Sequence, residues 1–258
     1  MALTPTDILA ICGLALLLLV LLAVVAVAGA QSLLHPRPRG WASSLTLALY
    51  SYLTRPRSAP DHFLLSLTPK DAEREALAEV VVSLVRTFAD CRPERVRELS
   101  MVWGLEGDQL RRALTLRGVR RLRALERLLW LNPTPLVAER LARRNFSSPR
   151  VAFASLLVVI YAKPSQVVYL LDHHPHNLSW EDMERVVEVL HRRSPVLDEP
   201  HIGEYAGVNV RLFELYLASV EGVGNAVEVA RRHSSSSNRE LRTAAFNVLL
   251  QEAMYPVL

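Results

Sequence analysis

Asp172-His173-His174-Pro175-His176 puts four groups able to bind a metal within five residues, and His191 and His201 follow. Imidazole nitrogen and carboxylate oxygen are ordinary zinc ligands. A zinc site, however, draws its ligands from two separate places, with further groups fixing the imidazoles. Here the histidines crowd one stretch ahead of Asn177 and Ser179, and no Cys pair or His-Glu-x-x-His motif accompanies them. The favoured reading is a polar loop between helices. A metal or cofactor site there, in an enzyme or an enzyme accessory subunit, is the alternative. Ser234 to Ser237 follow His233, but no Gly-x-Ser-x-Gly elbow frames them, and Cys91 has no motif around it. Gly203, Gly207, Gly222 and Gly224 are spaced for turns and form neither a P-loop nor a dinucleotide fingerprint. The expectation is a protein that is not an enzyme and carries no cofactor.

Charge is the more informative chemistry. Arg outnumbers Lys 28 to 2, and Asp108 to Arg150 holds 11 Arg against three acids. On helical spacing Arg120, Arg123 and Arg127, with Arg121 beside them, lie opposite a leucine stripe, and Arg140, Arg143 and Arg144 share a face of the next helix. By contrast, residues 179–204 are acidic. The seven arginines form the candidate binding surface, for an acidic protein partner or for anionic lipid head groups, worth about 1 kcal/mol per Arg near a membrane. A plain solvated surface is the competing reading. Nucleic acid is disfavoured, since no recognised motif or aromatic stacking platform accompanies the basic residues.

The elements that must position these groups begin with an oily segment. Ile8 to Ala30 is 23 residues without a charge. A helix of that length reaches about 34 Å, enough for a hydrocarbon core of about 30 Å. Ala28-Gly29-Ala30 has the look of a cleavage site, yet residues 1–7 carry no Lys or Arg, and the run exceeds the roughly 7–15 residues of a signal sequence. We read a transmembrane helix over 8–30 and a short extracytoplasmic N-terminus over 1–7. Arg37, Arg39, Arg55 and Arg57 follow the span, which keeps the remainder cytoplasmic at the inner membrane of a bacterium. With one Cys in that span and one beyond it, nothing demands an oxidising compartment. Residues 31–67 form a juxtamembrane stretch broken by prolines. Its one helix, 41–53, either lies on the membrane surface or packs on the domain that follows.

From Thr68 onward the apolar period is helical. Met183, Val186, Val187 and Leu190 make one stripe; Val119, Leu122, Leu125 and Leu129 another; Leu212, Phe213, Tyr216 and Val220 a third; Leu241, Ala244, Ala245, Val248 and Leu249 a fourth. Thr68-Pro69, Asn132-Pro133, Ser148-Pro149 and Lys163-Pro164 read as helix starts, Ser179 with Asp182 as a capping box, and Asn238 as a cap. The pattern predicts helices near 69–89, 93–103, 108–130, 133–144, 149–162, 164–172, 179–192, 204–219, 222–233 and 238–253. An echo runs through them. Moved forward by 31, Leu122, Leu125, Leu128 and Leu129 fall on Phe153, Leu156, Val159 and Ile160, and further matches recur near 90. Spacings near 31 and its multiples belong to two-helix repeats, which cannot bury their faces alone and must stack.

Ser148-Pro149-Arg150-Val151-Ala152-Phe153-Ala154 and Asn238-Arg239-Glu240-Leu241-Arg242-Thr243-Ala244-Ala245 both look like the opening of a HEAT helix: a turn residue, an apolar residue beside Arg, then small residues. Over roughly 69–253 the chain resembles HEAT-type α-solenoid proteins, with shorter repeats and a departure at 173–205. The resemblance implies an all-α cytoplasmic domain over 68–258, built of stacked antiparallel helix pairs, and it implies scaffolding. The functional expectation is a membrane-anchored, non-enzymatic adaptor holding a partner protein, one belonging to a membrane-associated complex.

Overall fold

The computed structural model describes residues 39–56, 62–193, 202 and 206–254. The apolar run Ile8–Ala30 lies outside them, as does His201. Among the described residues no helix is long and apolar enough to cross a membrane. Residues up to Ala48 group apart from a unit spanning Leu49–Leu258. The following account concerns that second unit.

All regular structure among the described residues is helical. The α-helices are α1 (Arg39–Thr54), α2 (His62–Ser66), α3 (Asp71–Thr87), α4 (Pro93–Val102), α5 (Leu105–Thr115), α6 (Gly118–Trp130), α7 (Pro135–Ala142), α8 (Pro149–Ala162), α9 (Val167–Asp172), α10 (Trp180–His191), α11 (Val208–Val220), α12 (Ala226–His233) and α13 (Arg239–Met254). A 3-10 turn at Pro164–Gln166 leads into α9.

Helix α8 explains the arrangement. Every residue from Val151 to Tyr161 is buried. A helix apolar all round has no face for water and must be enclosed. Helices α6, α7, α9 and α10 all pack on it. Consecutive helices pair where the link is short: α5 packs on α6, α7 on α8, and α12 on α13, while α11 bridges α10 to α12 and α13. At the N-terminal side Leu49, Tyr52 and Leu53 of α1 are buried. The Tyr52 hydroxyl donates to Glu98 at 2.9 Å, and Leu53 accepts the Arg92 N–H at 2.9 Å. The end of α1 therefore packs on the helical unit. Trp103 locks α2 in place by donating its indole N–H to Leu64.

Several boundaries differ from those the period predicts. The expected helix 108–130 is two helices. The chain opens at Leu116-Arg117, and Gly118 takes φ +56°, a left-handed conformation that glycine adopts without penalty. Val119, assigned to the apolar stripe, is consequently 65% exposed, whereas Leu125, Leu128 and Leu129 are buried. The start expected at Asn132-Pro133 moves to Pro135. Asn132 is itself left-handed, with its amide donating to the Pro93 carbonyl, and Glu106 takes both the Thr134 N–H and its hydroxyl. The capping expectations at Ser179 and Asn238 stand: Asp182 N–H donates to Ser179 Oγ, and Leu241 N–H to Asn238 Oδ1.

Candidate functional site

The arginine surface is smaller than the charge count implies. Arg120, Arg123, Arg140, Arg143 and Arg144 are exposed, but α7 ends at Ala142, so Arg143 and Arg144 follow the helix and do not share a helical face with Arg140. Arg127 is not part of a free face. It turns toward α3 and pairs with Glu75 at 3.2 Å and Glu79 at 3.4 Å. Arg121 is half-buried, its guanidinium 5.4 Å above the Phe146 ring. Nearby Arg111 and Arg112 are held by the fully buried Asp108 carboxylate, at 2.6 Å and 2.7 Å. Burial works against the charge on Arg112, but the Asp108 and Glu75 carboxylates more than offset it and hold its pKa above the usual value. The acids that neutralise these arginines lie in α3, some fifty residues upstream of Arg127, or in the first turn of α5. Helices α6 and α7 meet chiefly through α8.

The groups of the histidine loop turn to different neighbours. Asp172 Oδ1 accepts the Gly207 N–H at 2.7 Å. His173 stacks on Tyr169, ring centres 4.1 Å apart, with Nδ1 2.9 Å from the Tyr169 carbonyl. His191 pairs with Glu221 at 2.8 Å. Among the described residues no three His, Cys, Asp or Glu side chains are placed to hold a metal ion. The loop is pinned from below by the buried Asn209. Its Oδ1 accepts the Leu178 N–H at 2.9 Å, and its Nδ2 donates to the carbonyls of His176 and Leu171. That anchoring presents His174 and His176 edge to face, 5.7 Å apart, on the wall of a cavity of about 300 Å³. Arg150, Arg185, Glu126 and Asp182 share that wall. Burial, reinforced by His176 and opposed by Asp182, lowers the pKa of His174.

The serine run serves as a turn. Ser234 Oγ donates to the Arg231 carbonyl, and Ser236 Oγ accepts the Asn238 N–H. His233 is buried against Glu214 at 3.3 Å. Burial, with Asp90 nearby, pushes the Cys91 thiol up, away from the reactive thiolate.

Two further features join residues from distant parts of the chain. The larger is an open groove of about 750 Å³ between the start of α10 and the length of α13. Four side-chain amides, Asn177, Asn238, Asn247 and Gln251, line it beside Trp180. Trp180 is steadied by Tyr216, 4.9 Å away. Glu181, Glu240 and Arg239 lie along the same groove. Burial, then the charges of Glu181 and Asp182, raise the Glu240 pKa. The second feature is a stack of cations and rings. Arg192 lies 3.8 Å from the Trp130 ring centre and 5.0 Å from that of Tyr161, with Arg86 over the same indole and Arg193 over the same phenol. Burial lowers the pKa of Arg192, and Arg86 adds to it, against Tyr161 and Glu188. Neither feature is visible in local sequence, because each draws on at least two helices far apart in the chain. The one available signal for the groove was the clustering of Asn, Gln and Thr on a single face of α13.

No protein family matches the chain, and no curated protein or solved structure is significantly similar to it.

Proposed function

We propose that this chain is a non-enzymatic scaffold, held in a bacterial inner membrane by Ile8–Ala30, whose cytoplasmic helical surface seats an extended segment of a partner protein. The observation that carries the reading is the amide-lined groove of α10 and α13. An amide side chain both donates and accepts, which matches the alternating N–H and C=O groups of an extended backbone. Asn247 and Gln251 are exposed and make no side-chain hydrogen bond among the described residues, so their capacity is available. Trp180 offers a flat apolar contact of the kind that dominates binding energy at interfaces. Glu181 and Glu240 repel one another across the groove, and a Lys or Arg of the incoming segment would relieve that repulsion.

A HEAT-like stack is part of the same proposal. Helices α5 and α7 open at Leu105 and Pro135, and α6 and α8 at Gly118 and Pro149. Both spacings are close to the 31-residue echo of the sequence. Helices α12 and α13 open at Ala226 and Arg239, a further three repeats along. Repeated helix pairs build extended surfaces suited to protein ligands.

The test is selection of a random-peptide display library on the full-length protein in detergent. The selected peptides are expected to be extended and enriched in Lys or Arg, and N247A/Q251A should weaken them about thirtyfold for two lost hydrogen bonds near 1 kcal/mol each. Peptides that bind this double variant undiminished would refute the groove as the binding surface.

A further inference from the structure

The cavity beneath the histidine loop holds polar groups without partners. The Nε2 atoms of His174 and His176 are both buried and have no hydrogen-bond partner among the described residues. Burying such a group unpaired costs about 1–3 kcal/mol, so a fold that retains two of them side by side has a use for them. Two guanidiniums share the wall, and neither Arg150 nor Arg185 makes an ion pair among the described residues. Arg95 pairs with Glu98 and Arg112 with Asp108, whereas Arg150 and Arg185 stand exposed at the rim of the cavity. Arg185 is instead steadied by the Phe153 ring at 5.4 Å. The cavity also meets the start of the 14-residue helix α8, where Ser148 makes no side-chain cap and the first-turn N–H groups carry the positive end of the helix dipole.

Two carboxylates balance this picture and narrow the ligand. Asp182 is already engaged, accepting from the Ser179 N–H at 2.9 Å and its hydroxyl at 3.0 Å. Glu126 makes no ion pair or hydrogen bond among the described residues and lines the same space. A fully ionised oxyanion would be repelled by it, whereas an oxyanion that keeps a proton can donate that proton to it.

We infer that the cavity lined by Arg150, Arg185, His174, His176 and Glu126 binds a protonated phosphate group, either inorganic phosphate or a phosphomonoester. The arginines grip two oxygens, the imidazoles donate to others, and Glu126 accepts the remaining O–H. The volume of about 300 Å³ admits the phosphate with a small substituent. The site adjoins the α10–α13 groove, with Asn177 lining both, and its ligand is inferred independently of what that groove binds.

The experiment is calorimetric titration of inorganic phosphate into the full-length protein held in phosphatidylcholine nanodiscs. Saturable binding is expected. R150Q should weaken it about tenfold, as loss of one charge-assisted hydrogen bond does, while R231Q, an exposed α12 residue outside the cavity lining, should leave it unchanged. Arg150 is exposed, so R150Q keeps the test sound even if R185Q, which removes the stack on Phe153, lowers stability. Sulfate, which holds no proton near neutral pH, should bind at least about tenfold more weakly. Nanodiscs doped with phosphatidic acid separate the two sources: loss of the phosphate heat there assigns the site to a lipid phosphomonoester, and an unchanged heat to a soluble one. Absence of saturable phosphate binding, binding indifferent to R150Q, or sulfate binding as tight as phosphate would each overturn the inference.

Discussion

Asp108 decides which arginines of this basic stretch are free, and its removal has a calculable cost. The carboxylate is wholly buried in the first turn of α5, with Arg111 on one oxygen and Arg112 on the other. Gln109 adds a third donor at 3.3 Å. Taking one partner from a buried pair costs about 3–5 kcal/mol, because the other is left uncompensated. Here the penalty is reduced twice. Arg111 is 61% exposed and regains water, and Arg112 keeps Glu75 at 2.9 Å. Asparagine also retains one acceptor. D108N should therefore destabilise by about 2 kcal/mol and D108A by about 3 kcal/mol. For a unit near 200 residues each kcal/mol moves the melting temperature by roughly 2–4 °C, so D108N should melt about 4–8 °C lower. Far-ultraviolet circular dichroism of the full-length protein in detergent measures this. A double-mutant cycle sharpens it: D108N should couple more strongly to R112M than to R111M, since the exposed pair is worth less than about 1 kcal/mol. A melting temperature within about 1 °C of the parent, or equal coupling to both arginines, would show that Asp108 does not organise the pair.

Asn209 and Glu240 test the two loop and groove regions. N209A leaves the Leu178 N–H and two carbonyls without their partner in a buried site. It should cost about 2–3 kcal/mol and release the histidine loop, read as faster hydrogen exchange at Leu178; parental exchange would mean that the loop is held by other contacts. Glu240 has a raised pKa in the fold, so its protonated form favours folding below the ordinary Glu value, and that contribution disappears as pH rises through the raised value. E240Q should therefore raise the melting temperature at neutral pH and change it little near about pH 4. A variant that melts lower at neutral pH would show that Glu240 attracts rather than repels its surroundings.

Helix content, the four apolar stripes and the caps at Ser179 and Asn238 follow from neighbours within one turn, and so they are readable locally. Val220, by contrast, completes a stripe on period alone and is 54% exposed, since period shows a shared face but not what docks on it. The break at Leu116-Arg117 is hidden for a related reason. The period runs through it, and one glycine with positive φ interrupts an otherwise continuous pattern. Candidate site residues divide in the same way. Arg120, Arg123 and Arg140 are exposed on their helices, as helical spacing alone proposes, whereas Arg143 and Arg144 are exposed because the helix stops at Ala142 before reaching them. The capture of Arg127 by Glu75 and Glu79 depends on where α3 docks, some fifty residues away in sequence.

The order of amino acids alone determined an all-helical unit and the places where most helices begin and end, because hydrogen bonds and side-chain contacts one turn apart set both. The tertiary structure alone decided which charges are paired. It also decided which histidines turn inward, and that Asn247 lies across from Trp180. Coulomb forces and hydrogen bonds act over a few ångströms of space whatever the distance along the chain, and only the docking of helices brings those groups within range.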